Sequence, residues 1–316
     1  MVLKYWAASL FCISSVLAMQ QAKAADEPNS NMGNTSFYDG LPVPGAGDWH
    51  YIGYQITYSA DKITDANGKY LKLPNQDTRI NSLINQLMYT PEWGRFSDGH
   101  FVFDFLLPIF ETADIDDGLQ NKILKAQAGI GDVMLGGGYQ FEPIMGEDGP
   151  VFSQRIELDF FFPLGSYSPK YAFNPGSNAV TFNPHYAFTA FVTPSLSISA
   201  RLSYLWNAQN NRPWVGYQDA KSSQAGQAYN INLAIGYTLT PTVTVGFNGY
   251  FFKQFTDLKV DHARLPGQKE QVLGIGPGMM VSLNKNNFFW INYYQETLVE
   301  NRSKGSKVVI RFDHEF

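Results

Sequence analysis

The chain has 316 residues, with 23 Lys and Arg against 28 Asp and Glu, a net charge of −5 and a single cysteine. Only 16% of residues are charged and 15% are aromatic, where an ordinary soluble domain carries about 25% charge, yet the mean hydropathy is −0.21. An acidic balance without a basic block argues against nucleic acid as a partner. One cysteine excludes a disulfide framework, and the absence of any apolar run of ~18 residues past the leader excludes a helical membrane domain.

Residues 1–24 predict a secretory signal peptide. Lys4 supplies the basic start, Tyr5 to Met19 the apolar run, and Ala22-Lys23-Ala24 the small residues for cleavage before Ala25. Residues 25–48 are rich in Pro, Gly and Asn and lack any period. They are expected to form a periplasmic or lumen-lying N-terminal segment.

From Trp49 onward the apolar residues recur every second position. Twelve segments are candidate strands, 49–61, 77–91, 99–110, 127–142, 151–163, 179–192, 196–207, 225–239, 243–254, 270–283, 287–299 and 304–316, of which 99–110 is apolar nearly throughout apart from Asp104. Each exceeds the ~9–11 residues that a tilted strand needs to cross a bilayer. Leu196, Ile198, Ala200, Leu202, Tyr204 and Trp206 oppose Ser197, Ser199, Arg201 and Ser203; Phe152, Ile156, Leu158, Phe160 and Phe162 oppose Ser153, Arg155, Glu157 and Asp159. No helix can be drawn through these sets without scattering the apolar side chains. In 77–91 the parity is open, because Ile80, Ile84 and Met88 compete with Leu83, Leu87 and Tyr89. The last segment is two-faced, Val308, Ile310, Phe312 and His314 against Lys307, Arg311, Asp313 and Glu315, and it ends on Phe316. Such an ending resembles the C-terminal signal of bacterial outer-membrane barrels.

The connections alternate long and short until the last hairpin, with Thr193-Pro194-Ser195, Thr240-Pro241-Thr242 and Asn284-Lys285-Asn286 as short turns. Outer-membrane barrels have short periplasmic turns and longer external loops. In lipid every backbone N–H and C=O must be paired, which only helices and closed barrels achieve. The fold class is therefore all-β: one antiparallel, up-and-down transmembrane β-barrel of about twelve strands over residues 49–316. Trp49, Tyr89, Trp93, Tyr139, Tyr204, Trp206, Tyr237, Trp290, Tyr293 and Tyr294 are expected in the interfacial girdles.

Strand parity points Asp104, Asp132, Arg155, Glu157, Asp159, His185, Arg201, Tyr250 and Arg311 into the lumen, together with Asp313 and Glu315. There they either set the polarity of a pore or pair with one another and fill it. Gly129, Gly131, Gly136, Gly137 and Gly138 imply a close backbone approach, with the N-terminal segment as the expected neighbour. The five histidines lie on separate strands and loops with no metal-ligand spacing, and no Gly-x-Ser-x-Gly elbow occurs. Neither a metal, a cofactor nor a catalytic residue is expected.

Several blocks then carry a resemblance. They are Pro42-Val43-Pro44-Gly45, Ile130-Gly131-Asp132 ahead of Val133-Met134-Leu135, Pro163-Leu164-Gly165-Ser166-Tyr167, Tyr204 to Asn207, Ile275-Gly276-Pro277 and the terminal Phe316. In this order they resemble the bacterial family named for the MetA-pathway of phenol degradation. The resemblance implies an outer-membrane barrel associated with uptake of small hydrophobic, often aromatic, compounds. It supplies no binding residues to carry over. A channel for polar solutes such as nucleosides, and a closed structural or adhesive barrel acting through its loops, are the alternatives. The expected partners are outer-membrane lipid and lipopolysaccharide, the barrel-assembly machinery through the strand ending at Phe316, and the solute.

Overall fold

Twelve strands long enough to cross a bilayer alternate with turns and loops in the computed structural model, which describes residues 29–42, 47–119 and 124–316. The proposed leader 1–24 and residues 43–45 of the Pro42-Val43-Pro44-Gly45 block lie outside the described residues. The strands are β1 (Trp49–Ile63), β2 (Asp77–Tyr89), β3 (Gly99–Asp116), β4 (Val133–Phe141), β5 (Gly149–Phe162) and β6 (Thr181–Thr193). They continue as β7 (Leu196–Asn207), β8 (Ala228–Thr240), β9 (Val243–Gln254), β10 (Gln271–Asn284), β11 (Asn287–Glu300) and β12 (Ser303–Glu315). Each pairs antiparallel with its sequence neighbour, and β1 pairs with β12 from His50↔Glu315 to Ile63↔Ser303. The Phe316 N–H also donates to the Trp49 carbonyl at 3.1 Å. The sheet is thus closed, and no α-helix occurs among the described residues.

Pro194-Ser195, Pro241-Thr242 and Lys285-Asn286 make tight turns at the end that also holds both barrel termini. The long loops 64–76, 117–132 (as far as its residues are described), 163–180, 208–227 and 255–270 gather at the other end, the extracellular one. Two of them knit together: Ser223–Gln224 pairs with Leu258–Val260, which turns back into Ala263–Leu265. That hairpin turns at Asp261 and His262, both at positive φ (48° and 68°), as a two-residue hairpin turn of the primed kind requires. Backbone N–H groups of Lys221 and Ser222 donate to the Asp261 carboxylate at 2.8 and 2.9 Å, holding it below its usual pKa.

The outer face is apolar as the alternation predicts, with Leu135, Ile156, Leu158, Leu202, Leu233, Ile235, Phe247 and Ile275 exposed. In β2 the parity resolves in favour of Leu83 and Leu87 outside, with Ser82, Gln86 and Met88 buried inside. Trp49, Trp93, Trp206 and Tyr237 are exposed near strand ends, as girdle residues should be, whereas Tyr293 is exposed in the middle of β11. Trp290 and Tyr294 are not: both are buried in the lumen. Residues 288–294 carry aromatics on both faces, so the aromatic pattern alone cannot set their parity, whereas Asn292 and Glu296, both buried, fix it.

Strand β3 runs past its expected end at 110. A bulge where Asn81 and Ser82 face Thr112 and Phe110 lets it keep pairing with β2 as far as Asp116. Strand β4 is shorter than expected. Its ladder with β3 stops at Leu106↔Met134 and resumes only at Ile109↔Ile130 and Phe110↔Gly129. Pro108 has no N–H to give, and across the gap the Gly131 N–H donates to its carbonyl at 2.8 Å.

The inside-out parity has a direct test. Leu233→Arg, on the lipid face, is expected to cost about 2–4 kcal/mol in reversible urea unfolding from lipid. Ser203→Arg, on the lumen face of neighbouring β7, should leave the outer belt intact and cost less. Equal losses would contradict the assignment.

Candidate functional site: the lumen and its inner segment

The barrel interior is occupied by residues 29–42, held almost entirely by side chains that the period-two pattern sends inward. At the extracellular end Asn29 Nδ2 donates to Asp132 at 3.0 Å. Below it, Asn230 and Asn232 donate to the Asn31 carbonyl, Lys307 to that of Met32 at 2.9 Å, and the Tyr294 hydroxyl to that of Gly33 at 2.9 Å. Ser36 Oγ donates to Asn248 at 2.9 Å. Phe37, 1% exposed, packs with Ala234 and Trp290.

Nearer the periplasm the Tyr38 N–H donates to Ser199 Oγ at 2.9 Å, and the Tyr38 hydroxyl meets those of Thr238 and Thr244. Asp39 receives two bonds from Arg201, at 2.9 and 2.7 Å. The Gly40 N–H donates to Thr189 at 3.0 Å, while its carbonyl accepts from Ser153 at 2.7 Å and Gln140 at 3.2 Å. A Cβ on Gly40 would stand 2.3 Å from the backbone of Phe188 and Thr189, so no larger residue fits without lifting the segment off the wall.

Most of the rest of the predicted lumen set is buried and paired, whereas Glu315, at the end of β12, is only half-buried. Arg155 Nε donates to Glu157 at 2.9 Å, and His185 Nδ1 lies 3.1 Å from Asp159. Arg311 forks onto Asp313 and lies over the Trp290 and Tyr54 rings, at 4.5 and 5.8 Å from their centroids. His50 approaches Asp313 at 3.7 Å. The Tyr250 hydroxyl donates to Glu296 at 2.9 Å and its ring meets Tyr294 edge-on. Gln86 donates to Asp104 at 2.6 Å.

Asp132 is buried but serves a loop. It accepts from the Gly165 N–H at 3.1 Å and from the N–H and hydroxyl of Ser177 at 2.8 and 2.6 Å, clasping 163–180 against β4. The glycines of β4 do not receive the N-terminal segment. A Cβ on Gly136 would meet Asp159 and Glu157 oxygens at 2.4 and 3.2 Å, and one on Gly138 the Ile156 carbonyl and Glu157, so the glycines make room for carboxylates. Sequence reading passed over Glu296, Lys307 and the inner asparagines Asn230, Asn232, Asn248 and Asn292. Their parity was legible, but the partner they bind has no period of its own.

Between residues 29–34 and the walls of β1–β7 and β12 lies a cavity of about 300 Å³. Its accessible wall is chiefly apolar (Met32, Ile56, Ile80, Ile84, Leu106, Phe110, Phe161, Phe173), and its polar groups include Asn29, Asn34, Ser82, Gln86, Asp104, Asp159, Asn183, Arg201, Asn207, Arg302 and Lys307. Apolar walls with polar groups set among them are the composition of small-molecule sites. Of the predicted lumen residues, only Asp104, Asp159 and Arg201 border it.

The family described as MetA-pathway of phenol degradation matches residues 60–312 of the chain. The COG4313 outer membrane channel from Pseudomonas putida F1 superposes with a TM-score of 0.77 at 16% identity, over 88% of this chain and 98% of that one. The TodX monoaromatic hydrocarbon channel deltaS2 mutant gives 0.48 at 9% identity, over 93% and 98%. The KdgM porin gives 0.42 at 12% identity, over 84% and 99%. No curated protein matches the sequence.

The anchoring of residues 29–42 can be probed through chemistry. Asp39 and Arg201 are both largely buried, and removing one partner of such a pair costs about 3–5 kcal/mol. With a cysteine introduced at Asn34 and Cys12 removed with the leader, Asp39→Ala and Gly40→Val are each expected to speed labelling by a bulky, membrane-impermeant thiol reagent at least tenfold. Unchanged labelling would mean that the segment is held elsewhere.

Proposed function

This chain belongs to the MetA-pathway of phenol degradation family, and from that premise we propose that it is an outer-membrane channel for passive uptake of small hydrophobic, aromatic compounds. The observation that carries the reading is the chiefly apolar cavity between residues 29–34 and the walls of β1–β7 and β12. A dry pocket of roughly 150 Å³ lined by Leu, Ile and Phe suffices to bind benzene, so about 300 Å³ accommodates a substituted single ring. Among its polar groups, Gln86, Asn183 and Arg201 suit a phenolic hydroxyl. The similar fold of the COG4313 outer membrane channel supports both the location and the channel role.

A channel for polar solutes is the weaker reading. Below the cavity Phe37, Tyr38 and the Asp39–Arg201 pair fill the lumen, so a hydrated solute meets packed side chains. Passage along the axis therefore requires residues 29–42 to move. A second exit is favoured by the interrupted β3–β4 ladder at Pro108 and Gly131, next to the cavity wall, through which an apolar solute would leave sideways.

The test is to fill the cavity without touching the segment. Ile84→Trp places a ring in it. Displacement of a fluorescent naphthylamine by toluene or phenol is expected to be at least tenfold weaker than in the wild type, with the heat-shifted gel band of the folded barrel retained. Undiminished binding would overturn the cavity as the solute site. A disulfide bridging β3 to β4 across the gap would stop uptake into vesicles only if the sideways exit is used.

A further inference from the structure

The strands β3, β4 and β5 bring Asp104, Gly136 and Asp159 into one row across the sheet, and β5 and β6 set Glu157 opposite His185. Because position 136 carries no side chain, the carboxylates on either side lean into the space that a Cβ there would take. That point lies 2.4 Å from Asp159 Oδ1, 3.2 Å from Glu157 Oε1 and 3.3 Å from Asp104 Cβ. The ligand atoms of Glu157, Asp159 and His185 fall within 4.8 Å of one another.

Gln86 and Arg155 approach the cluster from outside, while His185 sits within it with a carboxylate near each ring nitrogen, Asp159 at 3.1 Å and Glu157 at 3.5 Å. Gln86 donates to Asp104 Oδ2, Arg155 to Glu157 Oε2, and His185 Nδ1 contacts Asp159 Oδ2. Asp104 Oδ1, Glu157 Oε1, Asp159 Oδ1 and His185 Nε2 make no hydrogen bond, the last only a long 3.5 Å approach to Glu157, although none of these residues is more than 6% exposed. Three carboxylates face one committed cation, Arg155, since Arg201 is engaged bidentately by Asp39. Two negative charges remain uncompensated if the imidazole is neutral.

We propose that this cluster is a divalent metal site, with Glu157, Asp159 and one ring nitrogen of His185 as ligands. One divalent ion closes the charge balance and meets the orphaned oxygens of Glu157 and Asp159 at once. A set of one nitrogen and two carboxylates suits a borderline cation such as Zn²⁺ or Mn²⁺. Entry is open, because Asp159 also borders the cavity. The spacing of histidines along the sequence hides such a site, since its ligands meet only through strand register. The ion would pin β5 and β6 together beside the Asp39–Arg201 anchor. None of this rests on the proposed solute.

The test uses the full folded barrel in detergent, stripped with a chelator and dialysed against limiting Zn²⁺ or Mn²⁺. One ion per chain is expected. Glu157→Gln and His185→Gln should each weaken it by at least roughly tenfold to a hundredfold, while His262→Gln and His314→Gln change nothing. Thermal unfolding of the wild type should shift upward with Zn²⁺ and return with chelator. Should the cluster variants fail to fold, pulsed electron paramagnetic resonance of wild-type Mn²⁺ must show coupling to one imidazole nitrogen. Lack of stoichiometric uptake by a barrel with an intact heat-shifted band would overturn the proposal. So would uptake without nitrogen coupling, or a protonated carboxyl infrared band, lost in Glu157→Gln, in a metal-free barrel that refuses the ion.

Discussion

Everything in this molecule follows from the need to pair backbone groups inside lipid. Without water, an open sheet edge would leave a row of N–H and C=O groups unsatisfied. The chain answers by bonding β1 to β12 along almost their whole length, down to the N–H of Phe316 on Trp49. Closure then sorts the side chains, since each strand must show lipid one parity and the lumen the other. It also sets a width. Side chains alone fill an eight-stranded barrel and sixteen strands leave an aqueous channel; twelve fall between. The space left over is taken by residues 29–42, whose backbone groups are bonded by Asn230, Asn232, Tyr294, Ser199, Thr189 and Ser153.

That occupancy divides the lumen. The periplasmic half is packed with ion pairs and the inner segment, while the extracellular half keeps a chiefly apolar cavity against β1–β7 and β12. The polar half is constrained, because in the Asp39–Arg201 and Arg311–Asp313 pairs each buried charge is held by a partner whose removal strands it. The apolar half has no such constraint and can exchange contents. A solute leaving water for the cavity is stabilised by burial of its surface, and passage depends on how easily the polar half or the interrupted β3–β4 ladder yields.

Much of the fold was legible in the sequence because two independent signals agree. The alternation in segments such as 151–163 and 196–207 fixes strand and parity together, and the alternating connection lengths fix topology. What stayed hidden has physical causes. Trp290 and Tyr294 read as girdle residues because their neighbours are aromatic on both faces; only Asn292 and Glu296 break the tie. The extension of β3 to Asp116 depends on a bulge, and a bulge reverses the apparent parity of 112–116. The β4 glycines signalled close approach without saying to what, and the answer, Glu157 and Asp159, lies across the sheet. His185 looked isolated for the same reason.

The most direct check on this account is the single-channel conductance of the intact barrel beside one lacking residues 29–42, each shown folded by its heat-shifted band. The account requires the intact form to give at most small, rare steps and the shortened form to open several-fold larger ones. Large and equal steps from both would contradict it, because the lumen would then be open whether or not the inner segment is there.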